Sequence, residues 1–358
     1  MGDLLIEKID VVEEQKSLSF PVFDSDMKKY FTEVLESNDF SRIQWIDTIK
    51  RESIPSVSDK CIGLINVHRV NDIRRVNKFF EHVNSSLQNG QYFMITMETK
   101  NARKERLLKK FPGAIGYPYY TLDFILKRIF PKWKVTRRLY FAITKGRNRV
   151  MSITEVLGRL VCCGFEIVDY KRIGGRTFVI TRKVAEPVYD MQPTYGALIK
   201  LRRVGLNGEV FRVFKLRTMH PYSEYLQGFI FEKNKLEEGG KFRNDFRMTT
   251  WGITFRKYWI DEVPMFINFF RGEMKLVGVR PLSEQYFNLY PEDLQKMRIK
   301  VKPGLLPPYY ADMPKGLEEI HESERNYLKA YEKAPIRTDI RYFFKAFVNI
   351  VFRGARSG

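Results

Sequence analysis

Cysteine and histidine are scarce in this chain, and their spacing excludes common metal sites. The 358 residues include three cysteines, Cys61, Cys162 and Cys163, and four histidines. No two cysteines form a CxxC pair, and no histidine stands at metal-site spacing from a cysteine. We therefore expect no zinc site, and thiols used in this way fit a reducing, cytosolic interior.

Long apolar runs are also missing. No uninterrupted stretch approaches the roughly 18 apolar residues that a membrane-spanning helix needs. The N-terminus, MGDLLIEKIDVVEEQKSLSF, is acidic and mixed, so it does not have the pattern of a secretory signal. Any contact with a membrane is therefore expected to be peripheral or shallow.

What the chain does contain is positive charge and enough apolar material for a core. Hydrophobic residues make up 44% and aromatic residues 14%, which argues against disorder, and the length allows two domains. The formal net charge is +20. This excess implies an anionic partner, which could be nucleic acid, anionic lipid or a phosphorylated small molecule.

A regular alternation of elements begins near Cys61, after residues 1–60, which we interpret as a polar, irregular extension. CIGLINVHRV reads as a strand, the next helix is capped at Asn71 or Asp72, and QYFMITMET reads as another strand. MSITEVLGRLVCCGF predicts a helix capped near Ser152. A β-hairpin is expected around Gly174-Gly175. This rhythm predicts an α/β layered domain.

The pattern over about 61–184 resembles the second half of a class I methyltransferase fold. No GxG occurs anywhere in the chain, so the glycine-rich loop of the methyl-donor site is missing. The resemblance therefore implies a degenerate, non-catalytic domain over residues 61–186.

An insertion at 111–149 interrupts this domain with basic and aromatic residues. Apolar side chains recur at helical spacing up to a stop at Pro131, and cations crowd the end of the run: Tyr119, Leu122, Ile125, Leu126 and Ile129, then Lys127, Arg128, Lys132, Lys134, Arg137 and Arg138. Two interpretations stay open. The helix lies at a membrane interface with its cations on anionic lipid, or it packs into the core with a basic solvent face.

Residues 187–200 read as a linker into a second domain, 201–358. There, Asn207-Gly208 predicts a turn between two strands, the second of which would point Lys215 and Arg217 to one face. Further on, the adjacent acids Asp261 and Glu262 stand among fixed cations: Arg247, Arg256, Lys257, Arg271 and Arg280.

Such a set suits a substrate with several negative charges. One acid could attack or bind a metal while guanidinium groups hold phosphate oxygens. The plain alternatives are a solvated charged loop, or Asp261 acting as the cap of the helix EVPMFINFF.

From about 203 to 304 an ordered set of motifs resembles the bacterial sugar transferases, the monotopic phosphoglycosyl transferases. The matching elements are RVGLNGEVFRVFKLRTM, ND-x-R-x-T, FRK-xxx-DE-x-P, N-xx-RGEM-x-LVG-x-RP and the KPG turn. The resemblance implies transfer of a sugar 1-phosphate from a nucleotide-diphosphate sugar to polyprenyl phosphate, through a covalent intermediate on Asp261. It implies Mg²⁺ held by Glu262 and Asp261. Substrate-binding positions are expected at Lys215, Arg217, Asn244, Asp245, Arg247, Arg256, Arg280 and Pro281.

The predicted fold is therefore α/β, with a methyltransferase-like layered domain followed by a mixed α/β phosphoglycosyl-transferase domain. The implied partners are a nucleotide sugar, polyprenyl phosphate and an anionic membrane surface, at the cytoplasmic face of the bacterial inner membrane; no nucleic acid is expected. Two other readings stay open: an inactive scaffold of a glycan-assembly complex, and a nucleic-acid-binding protein using the basic-aromatic stretch 117–149.

The chain departs from the family pattern in ways that bear on membrane attachment. The apolar re-entrant helix usual before the RVG segment is replaced by the short, polar VYDMQPTYGALIK, and Trp259, Met265 and Val279 stand where serine, glutamine and proline are common. The helix at 119–130, or the C-terminal DIRYFFKAFVNIVFRG, could take over the attachment.

Overall fold

The computed structural model describes residues 25–35, 40–189, 195–234 and 245–354. Its N-terminal half is built on a five-stranded sheet in the order β1-β2-β3-β5-β4. The strands are β1 (Ile43–Ile46), β2 (Gly63–Arg69), β3 (Tyr92–Met97), β4 (Phe165–Ile173) and β5 (Arg176–Lys183). The first three run parallel, and β5 pairs antiparallel with both β3 and β4.

Both faces of this sheet are covered, which explains why its central strands are continuous apolar runs. On one face Leu64 and Phe93 join a core with helices α2 (Val76–Ser86) and α6 (Ile153–Cys162). On the other face their neighbours Ile65 and Met94 pack against Tyr30 and Phe31 of α1 (Ser25–Leu35). Alternate residues of each strand therefore fill two different cores.

Most of the elements predicted for this half are present. Ser152 caps α6 by accepting a hydrogen bond from the backbone N–H of Glu155, and Gly174 and Gly175 turn the β4–β5 hairpin with positive φ. The predicted cap of α2 is wrong, because Asn71 and Asp72 lie in a separate 3₁₀ turn. The Asn71 amide instead donates to the backbone carbonyls of Glu98 and Arg149, fastening two loops together.

Residues 25–35 and 43–46 are not irregular, contrary to the interpretation of 1–60 as an irregular extension. They form α1 and β1, which completes the parallel edge of the sheet. The strand β1 is only four residues long, which is too short to show a periodicity of its own. Its position is set by the parallel pairing with β2.

The insertion forms a helical hairpin that follows α3 (Lys100–Lys110). It consists of α4 (Gly116–Phe124), which continues as a π-helical turn over Ile125–Ile129, and α5 (Lys134–Thr144). Seven apolar side chains, here called the exposed hairpin face, are each more than half exposed: Ile115, Tyr117, Leu122, Trp133, Val135, Leu139 and Ile143. The apolar residues of the predicted helix, for which core packing was one interpretation, are 37–55% exposed, so that interpretation is wrong for them: Tyr119, Leu122, Ile125, Leu126 and Ile129.

The C-terminal half begins with an antiparallel pair, β6 (Leu198–Val204) and β7 (Val210–Leu216). As predicted, Asn207-Gly208 turns between them, with φ of 57° and 79°. The strand β6 starts inside the segment 187–200 that the sequence suggested as a linker. The helices α7 (Gln227–Asn234), α8 (Thr250–Lys257) and α9 (Phe266–Phe270) follow.

A second small sheet pairs β8 (Lys275–Val277) in parallel with β9 (Gly304–Leu306). Around it lie α10 (Glu284–Phe287), α11 (Glu292–Arg298), α12 (Tyr309–Asp312), α13 (Leu317–Lys333) and α14 (Pro335–Phe352). The glycine of the KPG turn is needed here because a Cβ at Gly304 would meet the backbone nitrogen of Gly278 at 2.1 Å.

The two halves share one core. Leu226 and Ile230, at the start of the C-terminal half, belong to the apolar cluster formed by α2, α6 and the sheet. Nearby, the Tyr222 hydroxyl accepts a hydrogen bond from the Asn77 amide at 2.9 Å, and the Arg159 guanidinium lies 4.4 Å from the centre of the Tyr222 ring.

Across the described ranges, no helix is both long enough and apolar enough to cross a bilayer. The last helix, α14, nevertheless exposes apolar side chains along one side. Phe344, Phe347, Val351 and Phe352 are each at least half exposed.

Candidate functional site

A cavity of about 340 Å³ opens in the C-terminal half between β7, the turn that follows α8, and residues 280–286. Its walls combine three cations and one carboxylate with hydroxyl and apolar groups. The lining residues are Arg203, Val213, Lys215, Glu262, Met265, Arg280, Pro281, Leu282, Ser283, Tyr286, Gly304, Leu305, Pro307 and Tyr309.

Glu262 is held between two cations in this cavity. The Lys215 ammonium donates to Glu262 Oε1 at 2.6 Å, and the Arg280 guanidinium lies 3.8 Å from the same oxygen. Arg280 also donates to the Tyr309 hydroxyl at 3.1 Å, which fixes its direction. Burial lowers the pKa of Lys215, and the Glu262 carboxylate opposes that change.

Asp261 precedes Glu262 in the chain but is not among the residues that line the cavity, and it is 8% exposed. Burial raises the pKa of its carboxyl group, and the charge of Glu262 adds to the rise. Lys215 and Arg256 act in the opposite direction and favour the carboxylate. The acid pair therefore consists of one carboxylate bound by cations and one that is desolvated beside them.

The local backbone explains how the two acids are presented. Trp259 adopts a left-handed conformation with φ of 54°, and a 3₁₀ helix spans Ile260–Met265 directly after it. The Trp259 indole donates to the Tyr310 hydroxyl at 2.7 Å, which holds this turn against α12. The prediction that Asp261 caps the following helix is wrong, because Asp261 lies inside the 3₁₀ turn and makes no capping hydrogen bond.

Asn268 joins this turn to β7. Its side-chain oxygen accepts from the backbone N–H of Phe214 at 3.0 Å, and its amide donates to the carbonyl of Arg212 at 2.8 Å. Asn268 is fully buried, as expected for a residue with a structural hydrogen-bonding role. The strand that carries Lys215 and the turn that carries Glu262 are thus fixed relative to each other.

The other predicted site residues are distributed as follows. Pro281 lines the cavity beside Arg280. Arg256 donates to the Thr218 hydroxyl at 3.1 Å and is close enough to Asp261 to influence its pKa. Asp245 and Arg247 form a bidentate pair with each other, with contacts of 2.8 and 2.7 Å. Asn244 lies outside the described residues.

Arg217 does not line the cavity that Lys215 lines, so these two predicted substrate-binding residues are not brought together there. The strand β7 ends at Leu216, and the Arg217 side chain donates to the carbonyl of Gly196 at 3.0 Å. The alternation of a strand does not extend past its last residue.

Several cavity residues were missed by sequence reasoning. Arg203 arrives from β6, and burial together with the nearby Arg280 lowers its pKa. Ser283, Tyr286 and Tyr309 bring hydroxyl groups. Arg203 opens the RVG motif, and Tyr309 follows the KPG turn by five residues, so motif position was the available signal for both.

The fit of a metal ion can be judged from the acid pair. Within the described ranges, no group of three or more histidine, cysteine, aspartate or glutamate side chains is placed to hold a metal. Magnesium does not require such a cage, since it commonly takes one or two carboxylates together with substrate phosphate oxygens and water. Asp261 and Glu262 fit that partial set.

Comparison with known proteins finds similarity to sugar transferases in the region that contains the acid pair. Residues 184–353 match the family model described as bacterial sugar transferase. The chain is 33% identical over 147 residues to "Galactosyl transferase CpsE" of Streptococcus agalactiae, covering 41% of this chain and 30% of that protein. It is 33% identical over 109 residues to "Undecaprenyl-phosphate galactose phosphotransferase" of Salmonella typhimurium, covering 29% and 23%.

A third relative is "UDP-glucose:undecaprenyl-phosphate glucose-1-phosphate transferase" of Caulobacter vibrioides, 33% identical over 111 residues, which are 30% of this chain and 38% of that protein. The chain thus spans well under half the length of these three curated relatives. Residues 184–353, which match the bacterial sugar transferase model, contain the acid pair and its cavity.

Proposed function

We propose that this chain, through the sugar transferase region at 184–353, transfers a sugar 1-phosphate from a nucleotide-diphosphate sugar to polyprenyl phosphate. The observation that carries the proposal is the Asp261-Glu262 pair, set among Lys215, Arg256 and Arg280 at a cavity inside the matched region. The names of the Salmonella and Caulobacter relatives describe phosphosugar transfer to undecaprenyl phosphate, and they support the same chemistry here.

In the first step, an Asp261 carboxylate oxygen attacks the phosphorus next to the sugar. A bond forms between that oxygen and phosphorus, and the bridging P–O bond breaks, so that the nucleoside monophosphate leaves. The attack must overcome repulsion between like charges, which is why cations around the nucleophile matter. Burial and the charge of Glu262 raise the pKa of Asp261, while Lys215 and Arg256 oppose that rise and favour the reactive, charged form.

In the second step, an oxygen of the polyprenyl phosphate attacks the same phosphorus. The bond to Asp261 breaks, the carboxylate is restored and the phosphosugar is carried by the lipid. Covalent catalysis of this kind divides one displacement between two poor partners into two displacements at a fixed site. Arg280 and Arg203 are placed to hold the phosphate oxygens in both steps.

Mg²⁺ is the cofactor we propose, with Asp261 and Glu262 as its protein ligands and the rest of its ligands from substrate and water. When bound, it would neutralise charge on the diphosphate and stabilise the leaving phosphate. Lys215 donates a hydrogen bond to Glu262. Substrate phosphate would therefore compete with Glu262 for Lys215, and Mg²⁺ would compete with Lys215 for Glu262.

The lipid acceptor requires attachment at a membrane, and we propose a peripheral position at the cytoplasmic face of the bacterial inner membrane. Three apolar surfaces support this: the exposed hairpin face, the apolar side of α14, and the exposed residues of α9 next to the acid pair. In α9, Phe270 is 81% exposed, and Phe266 and Ile267 are exposed as well. Lipid chains could thus lie close to Asp261.

For the N-terminal half we propose a degenerate methyltransferase-like domain that contributes docking rather than chemistry. Support comes from the parallel strands β1 to β3 and from β5, which is inserted antiparallel between β3 and β4. The absence of any GxG sequence argues against a methyl-donor site.

The test is release of UMP from UDP-glucose, UDP-galactose and UDP-N-acetylglucosamine with Mg²⁺ and undecaprenyl phosphate. Wild type is compared with Asp261→Asn and with the control Asp293→Asn, which alters an exposed carboxylate far along the chain. We expect Asp261→Asn to lower the rate at least about a thousandfold, as loss of a covalent nucleophile does. Equal release by wild type and Asp261→Asn would overturn the enzymatic proposal.

A second readout separates the covalent step from overall turnover. Without lipid acceptor, wild type should gain the mass of one phosphosugar on the peptide that contains Asp261, and Asp261→Asn should not. If no UDP-sugar yields UMP or an adduct with wild type, the chain is a scaffold that retains the transferase fold.

A further inference from the structure

A second cavity, of about 280 Å³, lies in the N-terminal half, and all of its lining residues except Tyr195 are outside the matched region at 184–353. Its walls come from the chain after β2, from the helical hairpin, and from the segment that leads into α6. Met151 on its wall forms an isolated bridge to Thr99, two residues after the end of β3. The cavity thus lies beyond the carboxyl ends of two parallel strands, where open α/β sheets bind ligands.

The composition of this wall is strongly one-sided. Of its sixteen residues, eight are lysine or arginine and one is acidic, Glu155. Although burial alone would raise the pKa of Glu155, the neighbouring Lys132, Arg128 and Arg159 hold it well below its ordinary value. The single carboxylate is therefore already bound, by Lys132 at 2.8 Å and Arg159 at 3.0 Å.

Most of the remaining cations have no counter-ion. Within the described ranges, no carboxylate lies within 4 Å of Arg74, Arg75, Lys127, Arg137 or Arg149. Phe141 holds Arg74 and Arg149 against its ring, with guanidinium carbons 5.5 and 5.8 Å from the ring centre. Like charges gathered around a void repel one another, and an anion placed between them would relieve that repulsion.

Two guanidinium groups on the wall of this cavity have unused hydrogen-bond donors. The Nε atoms of Arg149 and Arg159 are buried and have no hydrogen-bond partner, and both residues line the cavity. The first turn of α2, at Val76, Asn77 and Lys78, also lines it, and this helix begins without a side-chain cap. Free backbone N–H groups at a helix start favour phosphate oxygens.

We propose that this cationic cavity binds a ligand with two or more phosphate charges. The volume admits a small phosphorylated molecule, and the rings of Phe141 and Tyr195 offer flat surfaces beside the charges. The same chemistry is available from a soluble diphosphate and from a phospholipid headgroup. A headgroup could reach the cavity because α5 carries the cavity residues Arg137 and Phe141 together with part of the exposed hairpin face, Val135, Leu139 and Ile143.

The variant that tests this site is Arg75→Gln combined with Arg137→Gln. Both side chains are exposed and have no carboxylate partner in the described ranges, so the protein should fold normally. The matched control, Lys50→Gln with Lys60→Gln, removes the same charge from exposed positions of the same half that do not line the cavity. All titrations use an Arg280→Gln background, which weakens binding at the transferase cavity.

The first arm is calorimetric titration with inorganic pyrophosphate. The second is sedimentation with vesicles of equal parts phosphatidylcholine and cardiolipin, whose headgroup carries two phosphates, against phosphatidylcholine alone. For whichever of the two ligands occupies the cavity, we expect binding to weaken about tenfold or more in Arg75→Gln/Arg137→Gln and to stay unchanged in the control.

Pyrophosphate binding that follows this pattern assigns the cavity to a soluble diphosphate. Vesicle binding that follows it, with no heat from pyrophosphate, assigns the cavity to a phospholipid headgroup. The proposal is overturned if neither ligand binds, or if the control loses as much affinity as the cavity variant.

Discussion

Lys215 Nζ and Glu262 Oε1 are 2.6 Å apart, although 47 residues separate them in the chain. Both side chains are largely withdrawn from solvent, with 16% and 18% exposed. The pair joins β7 to the 3₁₀ turn of the acid pair, and each group neutralises the charge of the other. This arrangement has a measurable energetic signature.

Lys215→Met and Glu262→Gln should each lower the free energy of unfolding by about 1–3 kcal/mol, because each leaves a partly buried partner without its counter-charge. The double variant should lose less than the sum of the two, by about 1–2 kcal/mol. Urea denaturation of the four proteins measures this coupling. The exposed pair Arg172–Glu105 serves as the control cycle, with a much weaker expected coupling because solvent screens both charges. Additive losses at Lys215 and Glu262 would contradict the prediction.

The buried Glu155 should make stability depend on pH in a defined direction. Its pKa in the folded protein is well below the unfolded value, so its stabilising effect is fully present above about pH 4.5 and is lost as pH falls below that value. At pH 7, Glu155→Gln should lower the free energy of unfolding by about 3–5 kcal/mol, since three cations lose their partner.

The check is the melting temperature of wild type and Glu155→Gln between pH 7 and pH 3. The difference between the two should narrow as the solution becomes more acidic. An exposed carboxylate, Glu166, provides the comparison, because Glu166→Gln should change the melting temperature little at any pH. A difference in melting temperature between wild type and Glu155→Gln that widens in acid would contradict the lowered pKa of Glu155.

Gly304→Ala should destabilise the C-terminal half by about 1–3 kcal/mol, because the new methyl group would overlap the backbone of Gly278. Gly228→Ala is the matched substitution in α7, where nothing lies within 4 Å of the added Cβ. It should leave stability unchanged or raise it by up to about 1 kcal/mol. Thermal denaturation distinguishes the two, and equal effects would refute the close approach of the two strands.

Trp133→Ser combined with Leu139→Ser should weaken binding to anionic vesicles about tenfold or more, because these residues supply apolar area to the exposed hairpin face. Val184→Ser with Val188→Ser is the control, since these valines are also about half exposed but lie outside the hairpin. Flotation with phosphatidylglycerol-containing vesicles gives the comparison. If only substitutions at Phe344 and Phe347 of α14 reduce binding, attachment resides in that helix instead.

Local signals in the sequence were sufficient for much of the fold. Ser152 and the glycines at 174–175 were correctly placed because caps and tight turns depend on a few adjacent residues. The start of α2 was misplaced because Asn71 satisfies distant backbone groups rather than its own helix. A side chain with a long-range partner carries no local mark of it.

Site residues that belong to several ordered motifs could be predicted from the sequence. A residue just past the end of a strand could not. Lys215, Glu262 and Arg280 come together as their motifs indicated. Arg217 does not join them in the cavity, since it lies one residue past the end of β7 and its side chain donates to the carbonyl of Gly196. The left-handed Trp259 could not be foreseen, since it is held by Tyr310 from a helix 51 residues away. Side-chain contacts across such separations are set only once the chain has folded.

The insertion of Leu226 and Ile230 into the core of the opposite half limits how this protein can be divided. A fragment that begins at the transferase motifs would expose Leu226 and Ile230, because the residues they pack against belong to the other half. The first half alone would have a cavity beside Gly158, in the position that Tyr222 occupies in the whole chain. Exchange of this first half for an unrelated one during evolution would therefore require a matching change along residues 222–230.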